Sequence, residues 1–163
     1  MGHMYVYRCM NCGDERYLMS GIGMTFPSLC QEVMEDIASG AYGPRLKKAY
    51  KTCSLPAVCA EEKLYVCKGC GRWKLTPDAT LYEPLDADSV LDERFGDKTV
   101  RELGHVPYLM PNQLKSCRVV SAYEPACKCG SMMSEIKLRK GLALACPTCG
   151  VPNGLVELVG FWD

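Results

Sequence analysis

Four pairs of closely spaced cysteines, each followed at once by glycine, restrict this chain more than any other feature. They are Cys9 and Cys12 before Gly13, Cys67 and Cys70 before Gly71, Cys127 and Cys129 before Gly130, and Cys146 and Cys149 before Gly150. Two sulfurs on one tight turn face a single point, and glycine tolerates the positive φ that such a turn asks for. Backbone N–H groups in the turn can then donate to the sulfurs. Four copies of this chemistry point to metal ligation rather than to buried structural or redox cysteines. Twelve cysteines in 163 residues stay just under the density of a disulfide scaffold, which is about 8 to 10%.

Context supports reduced thiols. No charged-then-apolar leader opens the chain and no run of eighteen apolar residues occurs in it. The expected localisation is therefore cytoplasmic, with no membrane partner, and there cysteine pairs read as metal ligands before disulfides. The opening "MGHM" reads as a cloning remnant covering residues 1–3, with the natural start at Met4. That leaves His105 as the histidine to explain. Lysine plus arginine equals aspartate plus glutamate, 19 against 19, but ligating thiols must ionise. Eight thiolates against two dications leave four negative charges, and a mildly acidic protein is not one that lives on nucleic acid.

Strand-like segments lead into the turns: "MYVYR" before Cys9, "KLYV" before Cys67 and "LALA" before Cys146, while "SMMSEIKL" follows Gly130. Between the first two pairs the period changes. "FPSLCQEVMEDIASG" places Leu29, Val33 and Ile37 at spacing four, with Cys30 and Met34 widening the face, Pro27 in the first turn and Gly40 as the stop. That pattern predicts a helix. A shorter helix is predicted from Pro44 in "PRLKKAYK", carrying Arg45, Lys47, Lys48 and Lys51 as the densest basic cluster. From Pro77 to Pro125 the chain is acidic and interrupted by prolines at 77, 84, 107, 111 and 125. It reads as a connector with a short helix in "DSVLDERFG" and strands in "VPYLM" and "RVVSAY".

Loop length suggests the pairing of the pairs. Sixteen residues separate Cys129 from Cys146, the spacing of one four-cysteine site closed by a hairpin with "RKG" as its turn. Cys9 and Cys12 are then left to Cys67 and Cys70 across 54 residues, a separation that adds only about 1 kcal/mol of closure entropy over the shorter loop. The alternative joins Cys67 and Cys70 to Cys127 and Cys129, and requires the first and last pairs to meet across the whole chain. Consecutive sites are the expectation.

"YRCMNCG", "VCKGCG" and "LACPTCG" resemble the knuckles of zinc-ribbon and rubredoxin-like proteins, and "CPTCG" is close to the second knuckle of a rubredoxin. The resemblance covers about 50 residues. It implies tetrahedral coordination by four thiolates, with two Zn²⁺ per chain and iron as a substitute in recombinant material. The expected fold is α+β, made of two zinc-ribbon β-hairpin modules with the first interrupted by a helical insertion. The expected division is a first ribbon over 4–82 with its insertion at about 24–62, an acidic connector over 83–125, and a second ribbon over 126–163.

The remaining cysteines suggest less. Cys30 on the apolar helix face reads as a small buried hydrophobe. Cys53 and Cys59 read as free thiols, with a local disulfide or a third metal site as alternatives. Lys115 and Arg118 beside Cys117 would lower its pKa toward reactivity, yet no histidine is placed to complete a dyad. His105 reads as a strand or loop residue, because eight cysteines leave no vacant ligand position.

Three functions follow in descending order. A closed four-thiolate shell has no position for water or substrate, which favours a structural metal in a binding or adaptor module, with exposed aromatics such as Trp73, Tyr82 and Trp162 as its contact surface and a protein as its partner. Nucleic-acid binding would use Arg8, Lys68, Arg72, Lys74, Lys128 and the Arg45 to Lys51 cluster. A thiol or metal-dependent enzyme fits least, since these motifs lie between strands and not at the helix N-terminus of a thioredoxin-like unit.

Overall fold

The structure is a computed structural model and describes residues 2–86 and 97–162. Ten strands and three α-helices are described, in an α+β arrangement. The chain divides into two compact units, each assembled from separated segments.

The first unit comprises Met1–Met24, Glu62–Thr76 and Glu124–Asp163. Its centre is strand β1 (Gly2–Cys9), flanked by β2 (Glu15–Gly21) and by the last strand, β10 (Gly154–Trp162). Both neighbours run antiparallel to β1, in registers that set Tyr5 opposite Leu18, Tyr7 opposite Val156 and Cys9 opposite Gly154. Alternation does the rest: Tyr5, Tyr7 and Cys9 point to one face and are buried there with Leu18, Leu64, Leu138, Leu144, Cys146 and Val156. Gly2 and His3 belong to this strand too, with the His3 ring beside those of Tyr5 and Phe161.

The remaining strands of this sheet are β4 (Glu62–Cys67), β5 (Trp73–Pro77), β8 (Met133–Ile136) and β9 (Ala143–Leu144). Strand β4 meets β5, β2 and β8, while β9 adds to the free edge of β10. The hairpin expected from "SMMSEIKL" and "LALA" is thereby replaced: β8 pairs with β4, and β9 with β10. The turn residue Gly141 donates its N–H to Val156 at 2.7 Å.

The second unit comprises Thr25–Glu61 and Pro77–Tyr123. Helix α1 (Phe26–Ser39) has Pro27 in its first turn and ends at Gly40, whose φ of 100° lets its N–H close on Asp36 and Ile37. Phe26, Cys30, Val33, Met34 and Ile37 form its buried stripe, and the Phe, Val, Met and Ile side chains each contribute about 1.5 to 3 kcal/mol if fully enclosed. Helix α2 (Pro44–Thr52) buries Leu46. A three-stranded sheet in the order β3 (Ala57–Val58), β6 (Leu81–Pro84), β7 (Cys117–Ser121) completes the unit with α3 (Asp97–Leu103) and a 3-10 helix over Pro111–Ser116.

The described residues of the stretch read as a connector, up to Tyr123, belong to this unit, where they supply α3, the 3-10 helix, β7 and the end of β6. Its "VPYLM" segment is not a strand. Val106 and Leu109 are instead fully buried and donate their N–H groups to Pro56 and Val58, at 2.9 Å each. "RVVSAY" supplies β7, and "DSVLDERFG" lies outside the described residues.

Candidate metal centres

All eight knuckle cysteines gather into two groups of four, and in each group the sulfurs lie within 4.8 Å of one another. The composition of the groups corrects the expected pairing. The first and last pairs, Cys9 and Cys12 with Cys146 and Cys149, make one centre; the two middle pairs, Cys67 and Cys70 with Cys127 and Cys129, make the other. They are called here the outer and inner centre, after their order along the chain. Strand pairing explains the exchange. The β1–β10 ladder ends with Cys9 opposite Gly154, just beyond the last knuckle, and the β4–β8 ladder ends with Cys67 opposite Met133, just beyond the third.

The four turns share one backbone pattern. Each opening cysteine donates its N–H across the turn, Cys9 to Asp14, Cys67 to Arg72, Cys127 to Ser131 and Cys146 to Val151, at 2.8 to 2.9 Å. Each glycine N–H returns to the carbonyl of that opening cysteine, and the four glycines have φ between 72° and 87°. The one-residue-shorter "CKCG" turn keeps both bonds. In every pair the opening cysteine is buried and the second exposed.

The sulfur separations discriminate between chemistries. Cys9 and Cys149 are 3.6 Å apart, Cys12 and Cys146 3.6 Å, Cys67 and Cys129 3.4 Å, and Cys70 and Cys127 3.5 Å. A disulfide needs about 2.05 Å. Zinc at about 2.3 Å from each of four sulfurs sets their edges at about 3.8 Å; the four edges between knuckles given above are within a few tenths of an ångström of that, and the remaining edges are no longer than 4.8 Å. The donor set fits a thiophilic ion.

Electrostatics prepare the sulfurs unevenly. At the outer centre burial opposes ionisation of Cys146, but the N–H groups of Cys149 and Thr148, both 3.4 Å from its sulfur, hold its pKa at about 6. At the inner centre the Ser131 N–H and hydroxyl hold Cys129 at about 6. Neighbours then resist a second charge: against the pull of the Asp14 N–H, burial and the Cys146 thiol push Cys12 up to about 12. Cys70 is pushed to about 11 by burial and by Cys127, against the Arg72 N–H. Asn11 Nδ2 donates to Cys149 Sγ at 3.6 Å, and the Cys9 thiol lies 3.6 Å from Asn153 Oδ1.

Other expected residues fall elsewhere. Cys30 is fully buried and accepts the Ala60 N–H at 3.4 Å, its thiol raised to about 11 by burial. Cys53 and Cys59 are free thiols, raised to about 11 and about 12, foremost by burial. Cys117 is corrected in sign: burial raises it, and Arg118 is committed to Glu83 through Nε at 2.8 Å. His105 is a buried loop residue whose Nδ1 sits 3.0 Å from the Val106 carbonyl. Among the described residues no further group of metal-capable side chains occurs.

The contact residues are also redistributed. Trp73 packs in the first unit's core against Tyr7 and donates Nε1 to the Ala145 carbonyl at 2.8 Å. The Trp162 ring lies over Gly2 and Gly23. Exposed aromatics are Tyr17 and Phe161 instead. Of the basic residues, Arg8 pairs with Glu15 and Glu157, Arg45 donates to the Ala122 carbonyl, and Lys47 closes the end of α1 on the Ser39 carbonyl. Lys68, Arg72 and Lys128 are exposed around the inner centre.

One residue beside the outer centre escaped the sequence reading altogether. Tyr7, two residues before Cys9 and hence on the same face of β1, has its hydroxyl buried beside the outer centre, and burial followed by the Cys146 thiol pushes the phenol up. Only its strand alternation with Cys9 hinted at this. No protein-family model, curated protein or solved structure matches the chain. Among the described residues no helix is long and apolar enough to cross a membrane.

Proposed function

We propose that this protein holds two structural Zn²⁺ ions, one in each four-cysteine centre, and acts by binding a protein partner rather than by catalysis. The observation that carries the reading is the pair of four-sulfur groups, each with two edges of 3.4 to 3.6 Å between knuckles and all sulfurs within 4.8 Å, on four equivalent turns. A full set of thiolates leaves no open coordination position for a reacting water. Each ion would tie together knuckles far apart in sequence, at the ends of the β1–β10 and β4–β8 ladders. The test is elemental analysis with mass spectrometry under native conditions. Two zinc ions per chain and cooperative loss of structure on chelation are expected; a metal-free chain that keeps its fold overturns the reading.

A second reading is supported by Lys68, Arg72 and Lys128, which the inner centre collects from two distant turns. Their joint charge would favour an anionic partner such as nucleic acid. Its discriminating measurement is a mobility-shift assay at about 50 mM salt, where phosphate contacts are strongest.

A further inference from the structure

Tyr7 has a buried hydroxyl with nothing ordinary to bond to. Its side chain is 0% exposed, and the Oη has no hydrogen-bond partner of ordinary geometry. Such an orphan costs about 1 to 3 kcal/mol. The ring cannot swing away to relieve it. Trp73 packs 5.2 Å from it at 58°, itself anchored on the Ala145 carbonyl, and the ring lies directly across Gly154 on β10. The same buried cluster holds Cys9 and Cys146, and their thiols are the neighbours that act on the phenol. A neutral thiol is a weak acceptor, whereas a thiolate is a strong one.

We propose that the Tyr7 hydroxyl donates a hydrogen bond to the metal-bound thiolate of Cys146, making Tyr7 the positioning residue of the outer centre. The inference rests on the reading of the two groups as metal centres. It accounts for three otherwise unrelated features: the unpaired hydroxyl, the absent side chain at position 154 and the aromatic stack that fixes the ring. It also makes the two centres inequivalent, since the corresponding side-chain hydroxyl at the inner centre belongs to the exposed turn, on Ser131 beside Cys129.

Outer-shell partners of metal ligands are worth about 10- to 100-fold in affinity. Tyr7→Phe keeps the ring, its packing and the glycine contact while removing only the donor. In zinc-loaded protein titrated with a competing chelator, this variant is expected to lose about 10-fold in affinity at the outer centre with the inner one unchanged. The two steps are assigned with the Cys9→Ser, Cys12→Ser double variant, which retains only the inner centre. In the cobalt-substituted protein the sulfur-to-metal charge-transfer band of the outer centre should move to lower energy, because a thiolate relieved of a hydrogen bond is easier to oxidise. An unmoved band with unchanged affinity overturns the proposal, and so does equal weakening of both centres.

The wild-type chain provides a check that needs no variant. With ¹¹³Cd in both centres, the Tyr7 hydroxyl proton should exchange slowly and show coupling to cadmium through sulfur; a fast-exchanging, uncoupled proton overturns the proposal. A wild-type chain that takes up fewer than two ions defeats the metal reading itself. Two ions bound with a silent Tyr7→Phe defeats this inference alone.

Discussion

At Gly154 the constraint is a ring and not a torsion angle. A β-carbon there would lie 2.1 Å from the Tyr7 ring and hydroxyl, a contact that only rearrangement of the buried stack could relieve. Gly71 is the opposite case: its φ is +72°, but a β-carbon would meet only Ala145 at 3.6 Å. Gly154→Ala is therefore expected to destabilise the zinc-loaded protein by about 3 kcal/mol or more through overpacking. Gly71→Ala should cost about 1 to 2 kcal/mol through its left-handed backbone. Urea unfolding of the two variants checks the order, and a smaller loss at 154 would sink the account of Tyr7's confinement. Individual residues were legible where their chemistry is local. The knuckle glycines and cysteines announce themselves within five residues. Glu83, buried and accepting the Ser54 N–H at 3.0 Å and Arg118 Nε at 2.8 Å, has no such signature, because its partners arrive from 29 and 35 positions away.

Elements show why the pairing of the centres could not be read from spacing. The loop from Cys12 to Cys146 is about 2.5 times as long as the one from Cys12 to Cys67, yet the extra closure entropy is only about 0.8 kcal/mol. The eight-residue register of β1 with β10 outweighs that easily, and it buries Tyr5, Tyr7 and Val156 in one cluster. Helix α1 was legible for the converse reason: its 3.6-residue period, Pro27 and Gly40 all lie within one segment. Strand partners are non-local, and "LALA" on its own does not say that it will join β10. The exchange of partners has a direct consequence for labelling. In the zinc-loaded Cys9→Ser, Cys12→Ser variant, Cys146 and Cys149 are expected to react with iodoacetamide while Cys67, Cys70, Cys127 and Cys129 stay protected. Consecutive sites would instead expose Cys67 and Cys70, and peptide mapping that found this would reverse the assignment.

For the whole molecule the division into two units puts all eight cysteines of the two candidate centres in the first, and among the described residues no such group falls in the second. The second unit has its own core, from Ile37 and Leu46 to Val106 and Leu109, built from a helical segment and from the acidic, proline-interrupted segment whose folding no periodic pattern foretells. Acid should separate the two. Cys146 and Cys129 are held at about 6, below an ordinary thiol near 8.5. A depressed thiol contributes stability that is present above the unfolded value and is lost as pH falls through the folded one. A bound dication lowers the thiols further, so metal release on acidification should have its midpoint below pH 6. Binding at pH 7 should expel protons, since Cys12 and Cys70 are held protonated there, at about 12 and about 11. A colorimetric chelator follows release, and hydrogen exchange locates its effect. Amides in 2–24, 62–76 and 124–162 should lose protection with the metal, while those of α1 and α2 keep theirs to lower pH. Simultaneous loss in α1 and α2 would mean that the second unit's core depends on the metals after all, and that the whole chain unfolds as one cooperative body.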